Sequence, residues 1–304
     1  MRTAIVVGLL MLSLAATGLA HDRESSRFEK HLGADPNGVV EISNFSGTIQ
    51  VSGWDKPEVE VEAEMGSGVD QISAESERGR VSIKVIVTRH SGGTDLRVHI
   101  PHDSELTVSA VSADITVNDV RGALRLGTIS GVIHTDVFQK SAEIKTVSGD
   151  LVLRGRGRDA GADGIHASSI SGTIRVDRAG GDLEAITVSG EMTLRLDHPA
   201  HDVRIHTTSG DVTFEGKLAK GGNLEAQSVS GDLAVRATPD TGALDFEINT
   251  FSGDIKNCMG LEAERVSKYG PGRRLNGTHG TPGRDDARIR LKSMSGDVDL
   301  CDKA

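Results

Sequence analysis

The sequence predicts an all-β solenoid, and three observations predict it. A short phrase built on Ser-Gly recurs along the chain, apolar and polar residues alternate on both sides of it, and bulky side chains are scarce. The 304 residues can bury a large core, yet aromatics are only 3% of them, with one Trp and one Tyr against 37 Gly and 7 Pro. Large rings fill the thick core of a globular α/β protein. Many glycines between short Val, Ile and Leu runs suit thin, regularly turning β-structure instead.

Taken from the start, residues 1–20 stand apart. Arg2 gives a basic start, Ala4 to Ala16 is an apolar run, and Gly18-Leu19-Ala20 puts small residues before a cleavage point. This is the pattern of a secretory signal peptide, too short and wrongly flanked for a stable membrane span. No later run is apolar enough to span a bilayer, so the expected mature chain has no transmembrane segment. Its removal deletes Arg2 and no acid, taking the formal charge from −10 to −11. An acidic exported chain is poorly suited to phosphate backbones, which excludes nucleic acid as a partner.

Residues 21–111 hold longer strand patterns: Val39-Val40-Glu41-Ile42, Val59-Glu60-Val61-Glu62, Val81-Ser82-Ile83-Lys84-Val85 and Leu96-Arg97-Val98-His99-Ile100. Pro101 stops the last of them, because it cannot donate to a ladder. This part is expected to cap the N-terminal end of the solenoid, which otherwise exposes unpaired backbone.

Residues 112–304 carry the repeat. The phrase first appears as Ser46-Gly47-Thr48-Ile49 and then runs through Ser112-Ala113-Asp114-Ile115, Ser130-Gly131-Val132-Ile133, Ser148-Gly149-Asp150-Leu151, Ser171-Gly172-Thr173-Ile174 and Ser189-Gly190-Glu191-Met192. Its later copies are Ser209-Gly210-Asp211-Val212, Ser230-Gly231-Asp232-Leu233, Ser252-Gly253-Asp254-Ile255 and Ser295-Gly296-Asp297-Val298. From Ser112 the spacings are 18, 18, 23, 18, 20, 21, 22 and 43, so the last interval spans about two periods and suggests a copy lost inside an insertion. Period-two alternation on both sides reads as two half-buried strands joined at Ser-Gly. Gly supplies the backbone angle, while Ser and Asp satisfy amides where the chain bends. A unit of this size cannot bury its own apolar face, but stacked units can. About ten coils spaced about 4.8 Å apart predict a rod roughly 45 Å long. Antiparallel hairpins in a sandwich use the same alternation, so strand direction stays open at this point.

Within this region, residues 266–288 carry Gly270-Pro271-Gly272 and Thr281-Pro282-Gly283, the marks of a flexible surface loop. Cys258 and Cys301 are an even pair in an exported chain, which fits one disulfide. That bond closes a long segment and stabilises by about 3–4 kcal/mol on a loop-entropy basis.

Thr146-Val147-Ser148-Gly149-Asp150-Leu151-Val152-Leu153, echoed by Thr187-Val188-Ser189-Gly190-Glu191-Met192-Thr193-Leu194, resembles the bacterial β-strand-repeat family labelled "putative adhesin". Asn44-Phe45-Ser46-Gly47-Thr48-Ile49 with Gly53-Trp54 is similar to that family's opening, and Val98-His99-Ile100-Pro101 to its strand before the repeats. The resemblance covers about residues 35–300. It implies a β-helical fold and an exported or cell-envelope location, periplasmic or secreted, and it brings no catalytic residues. The copies at Ala113, which lacks the Gly, and at Val132, which lacks the polar residue after Gly131, depart from the pattern.

No constellation of residues points to catalysis, a cofactor or a metal. Asp114, Asp150, Asp211, Asp232, Asp254 and Asp297 recur at one repeat position, but Thr48, Val132 and Thr173 interrupt the row, and turn satisfaction accounts for it better than calcium binding. His198, His201 and His206 lack the further ligands a zinc site needs. One acid per turn makes a line, not the convergent pair that sugar hydrolysis requires. The leading expectation is a non-catalytic envelope scaffold that binds an envelope protein, a glycan or a cell surface. The alternatives are a carbohydrate-active β-helix enzyme, which needs a groove holding several acids, and an envelope-stress sensor domain.

Overall fold

The computed structural model describes residues 26–87, 92–240, 242–268 and 270–302, so the signal peptide expected at 1–20 lies outside the described residues. The protein is a parallel β-solenoid. Each coil, here called a rung, has two limbs, which in nine of the rungs meet at a Ser-Gly corner. In rung 142–155 the first limb is Ala142–Ser148 and the second Leu151–Gly155. Ala142, Ile144 and Thr146 point inward from the first, Leu151 and Leu153 from the second, and the residues between them face out. The period-two alternation of the sequence is this inward and outward alternation.

Rungs stack limb on limb with matched corners. Ser148 lies between Ser130 and Ser171, and Leu151 between Ile133 and Ile174. This parallel register rules out the antiparallel sandwich. Glycine at the corner is imposed by the stacking. Gly190 has a φ of 152°, and a Cβ placed on it would sit 2.1 Å from the carbonyl oxygen of Gly172 in the rung below. The Gly190 N–H in turn donates to the Ser209 carbonyl in the rung above at 3.1 Å. At Gly190 the neighbouring corners are therefore too close for a side chain in this backbone conformation, whereas rung 105–118 carries Ala113 at the equivalent place.

At both ends, chain order and stacking order part company. Val39–Trp54 forms one complete rung with its own corner at Ser46-Gly47. It pairs in parallel with Glu105–Asn118 on one side, and with Arg80–Val87 and Thr94–Pro101 on the other. Rung 80–101 is thus outermost although rung 39–54 precedes it in the chain. At the other end Ala287–Ser295 is inserted between the 223–230 portion of Val212–Ser230 and Leu244–Ser252. The last rung of the chain lies inside rung 244–257. Residues 39–54 and 80–101, grouped by their sequence with a cap, therefore share the parallel stack, which comprises eleven rungs among the described residues.

Antiparallel strands close both ends. Glu58–Met65 lies on Thr94–Pro101, Ser26–Gly33 lies outside it, and Val69–Glu77 covers Arg80–Val87. Lys30 Nζ donates to the Ala74 carbonyl at 2.6 Å and Ser76 Oγ to the Gly33 carbonyl at 2.9 Å, drawing the two covers together. At the opposite end Arg273–His279 pairs antiparallel with Leu244–Ser252. The interval between Ser252 and Ser295 thus holds this covering strand rather than a further rung. Its sequence offers one buried apolar residue, Leu275, and no Ser-Gly corner. The Cys258–Cys301 disulfide joins rungs 244–257 and 287–301 with a Cα–Cα distance of 4.9 Å, fixing the inserted rung to its outer neighbour.

Candidate functional site

The Ser-Gly corner sorts its residues by phase. Two positions before each Ser the side chain points in, giving a buried row that includes Thr128, Thr146, Ser169, Thr187, Thr207 and Thr250. Thr128 Oγ1 donates to the Ser130 carbonyl at 2.9 Å, holding the corner from inside. One position before each Ser the side chain points out. In stacking order this outer row, joined by Ile86, which lies level with Phe45 without preceding a Ser, reads Ile86, Phe45, Val111, Ile129, Val147, Ile170, Val188, Thr208, Val229, Met294, Phe251. The ten apolar members are 37–61% exposed, and among the described residues only Leu261 and Val266 are comparably exposed large hydrophobics. Ten intervals at about 4.8 Å make a ridge about 48 Å long. A contiguous apolar strip of this kind is unusual for a surface with no partner.

Across the Ser row lies the acidic row, two residues after each Ser. Its members in stacking order are Asp95, Thr48, Asp114, Val132, Asp150, Thr173, Glu191, Asp211, Asp232, Asp297 and Asp254. The aspartates are structural. The main-chain N–H of Val132 donates to Asp114 Oδ1 at 2.8 Å, that of Thr173 to Asp150 at 2.8 Å, that of Asp232 to Asp211 at 2.9 Å and that of Asp297 to Asp232 at 2.7 Å. The Asp254 N–H donates to Asp297 at 2.9 Å. Each carboxylate tethers one rung to the next. This bond from the Asp254 amide, followed by the Lys256 ammonium, holds the Asp297 carboxyl below its ordinary value. Asp254, which has no following rung, instead meets Arg273 at 2.9 Å. Among the described residues only Asp254 and Asp297 of this row form an ion pair.

On the other flank of the first limb runs a ladder of mixed charge. Arg125, Glu143, His166, Glu184, Arg204, Glu225, Arg290 and Glu247 follow one another rung by rung. Part of it borders a groove of about 470 Å³ that also holds Asp163, Asp182 and Asp202. This is the acid-lined groove that a carbohydrate-active enzyme needs, but its acids are engaged. Glu143 bonds Lys145, Glu184 meets His166 at 2.9 Å, Asp182 accepts from the Asp202 amide at 3.1 Å, and Asp202 pairs with Arg204. The Lys145 hydrogen bond holds the Glu143 carboxyl below its ordinary value, the opposite of what a general acid needs.

The histidines flagged by the sequence do not converge: His201 is exposed, and His206 lies half-buried on the outer face of Ala200–Ser209. Glu29, His31 and Glu60 do converge, on the antiparallel cover, with His31 Nε2 3.6 and 3.7 Å from the two carboxylates. All three side chains lie at the partly exposed surface of the cover. The sequence reading missed the ridge, although the signal is present: nine of the ten residues preceding the repeat Ser are apolar, at a position that the alternation sends outward.

A family model for Toastrack DUF4097 matches residues 39–301. The chain belongs to the Toastrack DUF4097 family. No curated protein matches it. Among solved structures, this Toastrack chain is similar to a putative adhesin from Parabacteroides distasonis, at 14% identity over 91% of this chain and 98% of that one, with a TM-score of 0.41. It is also similar to a putative cell adhesion protein from Clostridium sporogenes, at 11% identity over 91% and 99% with a TM-score of 0.25. A putative lipid binding protein from Parabacteroides distasonis is similar at 10% identity over 90% and 97%, with a TM-score of 0.29.

Proposed function

We propose that this Toastrack chain is a non-catalytic, exported scaffold of the cell envelope that binds a partner along its ridge. The observation that carries the reading is the row of exposed apolar side chains that, among the described residues, marks ten of the eleven rungs and is interrupted only at Thr208. Each of these Val, Ile, Phe and Met residues points away from the core, so core burial does not account for the apolar character of this corner. The disulfide supports export, since such bonds persist in oxidising compartments. Among the described residues no helix is long and apolar enough to cross a membrane.

The test compares the protein with a variant carrying Ile129→Ser, Val147→Ser and Ile170→Ser on arrays of glycans and envelope proteins. Binding that falls by about tenfold or more in the variant, with thermal unfolding unchanged, is the expected result. Equal binding by both proteins removes the ridge from the function. Cleavage of any polymer on the array overturns the non-catalytic reading and returns attention to the groove beside Glu143.

A further inference from the structure

The ridge has an electrostatic neighbour, and the two together define what fits. The acidic row lies three residues along the chain from the ridge, within about 10 Å. Of its eleven positions eight are acidic and none is basic. Asp114, Asp150, Glu191, Asp211 and Asp232 are exposed and have no cation within ion-pair distance among the described residues. One oxygen of Asp114, Asp150, Asp211 and Asp232 is taken by a main-chain amide, which leaves the other and the full negative charge facing outward. The corner is therefore a long apolar strip edged by unneutralised carboxylates.

We propose that the occupant of this corner is a cationic amphipathic polypeptide segment, lying lengthwise with its apolar stripe on the ridge and its Lys or Arg side chains over the acidic row. This deepens the docking reading above and rests on it. An anionic lipid surface brings like charge against the acidic row. A second copy packed ridge to ridge with rods antiparallel sets acidic row against acidic row. With rods parallel, it sets eight acids against the first-limb row beside the ridge, whose Lys and Arg side chains are Lys84, Lys145 and Lys292 alone, which leaves most of the acids without a cation. A segment with both apolar and basic side chains satisfies the strip and the carboxylates at once.

The corner also shows where such a segment is gripped. The ridge dips at Thr208, its one polar member, and there a groove of about 580 Å³ opens between Val188, Val229, Met294 and Phe251. Phe251 and Met294 are the most exposed residues of the ridge, at 61% and 60%. A single large apolar side chain of the segment fits into this dip.

The probe is a synthetic Leu/Lys amphipathic helix of about 20 residues, about 30 Å long, with a Leu/Glu version of the same pattern as its partner control. Titration into the mature chain is expected to show saturable one-to-one binding of the Lys peptide, weakening as salt rises from about 50 to about 200 mM, and none of the Glu peptide. Val229→Ser with Met294→Ser is expected to weaken it by about tenfold. Asp211→Asn with Asp232→Asn keeps an oxygen for the backbone amides and is expected to weaken binding severalfold while flattening its salt dependence. Asp159→Asn with Asp163→Asn, away from the corner, should leave binding unchanged. Equal binding of both peptides, binding indifferent to the Val229 and Met294 changes, or preference for phosphatidylglycerol vesicles over the Lys peptide overturns the proposal. If array binding still depends on Ile129, Val147 and Ile170 while the Lys peptide fails, the docking reading survives and only the occupant is wrong.

Discussion

The middle of the rod and its two ends solve the same problem differently. From rung 105–118 to rung 223–239, each rung follows its chain neighbour, and the stack is held by corner glycines, Asp tethers and shared core. At each end the chain exchanges two rungs, so that the outermost is not the terminal one: rung 39–54 is enclosed by rung 80–101, and rung 287–301 by rung 244–257. The difference teaches how a one-dimensional fold avoids fraying. In a simple stack, the terminal rung is held on one face only and peels first. Placing the end of the repeat region one rung inward gives it partners on both faces, and an antiparallel cover closes the rung outside it. The C-terminal exchange is further locked by Cys258–Cys301.

The largest expected effect lies in the middle. Gly190→Val puts a branched side chain where a Cβ alone would lie 2.1 Å from backbone oxygen, at a φ of 152°. Neither rung can retreat without breaking the pairing on its far side, so the loss should be about 4 kcal/mol or more. Gly33→Ala, where nothing lies within 4 Å and φ is not positive, should change stability by less than about 0.5 kcal/mol. Denaturant unfolding of both variants checks the pair. Similar midpoints would show that corner stacking does not set the stability of the middle.

The next effect tests the exchanged end. Replacing Cys258 and Cys301 together by Ala should cost about 3–4 kcal/mol by loop entropy. Hydrogen exchange should show that loss concentrated in rungs 244–257 and 287–301, with amides around rung 165–179 unchanged. Uniform loss along the rod would mean that ends and middle unfold as one unit and that the exchange gives no local protection.

Much of this architecture could be read before any coordinates. The rung spacing, the corner glycines and the amide-binding role of Asp150, Asp211 and Asp232 follow from Ser-Gly-Asp set between alternating residues. The exchanged ends could not be read, because the copies are interchangeable in register: Ser295 fits beside Ser230 as well as Ser252 does, and nothing local says which arrives. The covering strand Arg273–His279 was hidden between Gly-Pro-Gly and Pro-Gly turns, its pairing decided by a distant edge rather than by its own pattern. The ridge was legible in principle. Its signal is the apolar character of Val147, Ile170 and Val188 on the outward phase, where the alternation otherwise places polar residues.

The smallest effect separates the C-terminal end from the middle by pH. Asp297 accepts the Asp254 amide and pairs with Lys256, and its carboxyl is held below the ordinary 3.8. Asp286, at the entry to the inserted rung, is also held below 3.8 by the amides of Ala243 and Gly283. A carboxyl depressed in the folded state stabilises fully above its unfolded pKa, and that contribution is lost as pH falls through the folded value. Stabilisation of this end should therefore be complete above about pH 5 and decline below about pH 3.8. Both groups are partly open to water, so the change is expected as faster amide exchange at Ala243, Asp254 and Gly283 rather than as global unfolding. Asp297→Asn keeps an oxygen for the Asp254 amide but cannot titrate, and it should remove the acid-induced acceleration at Asp254 while leaving that at Ala243. If Asp254 exchange still accelerates in acid in that variant, the tether at the exchanged end does not depend on the charge of Asp297.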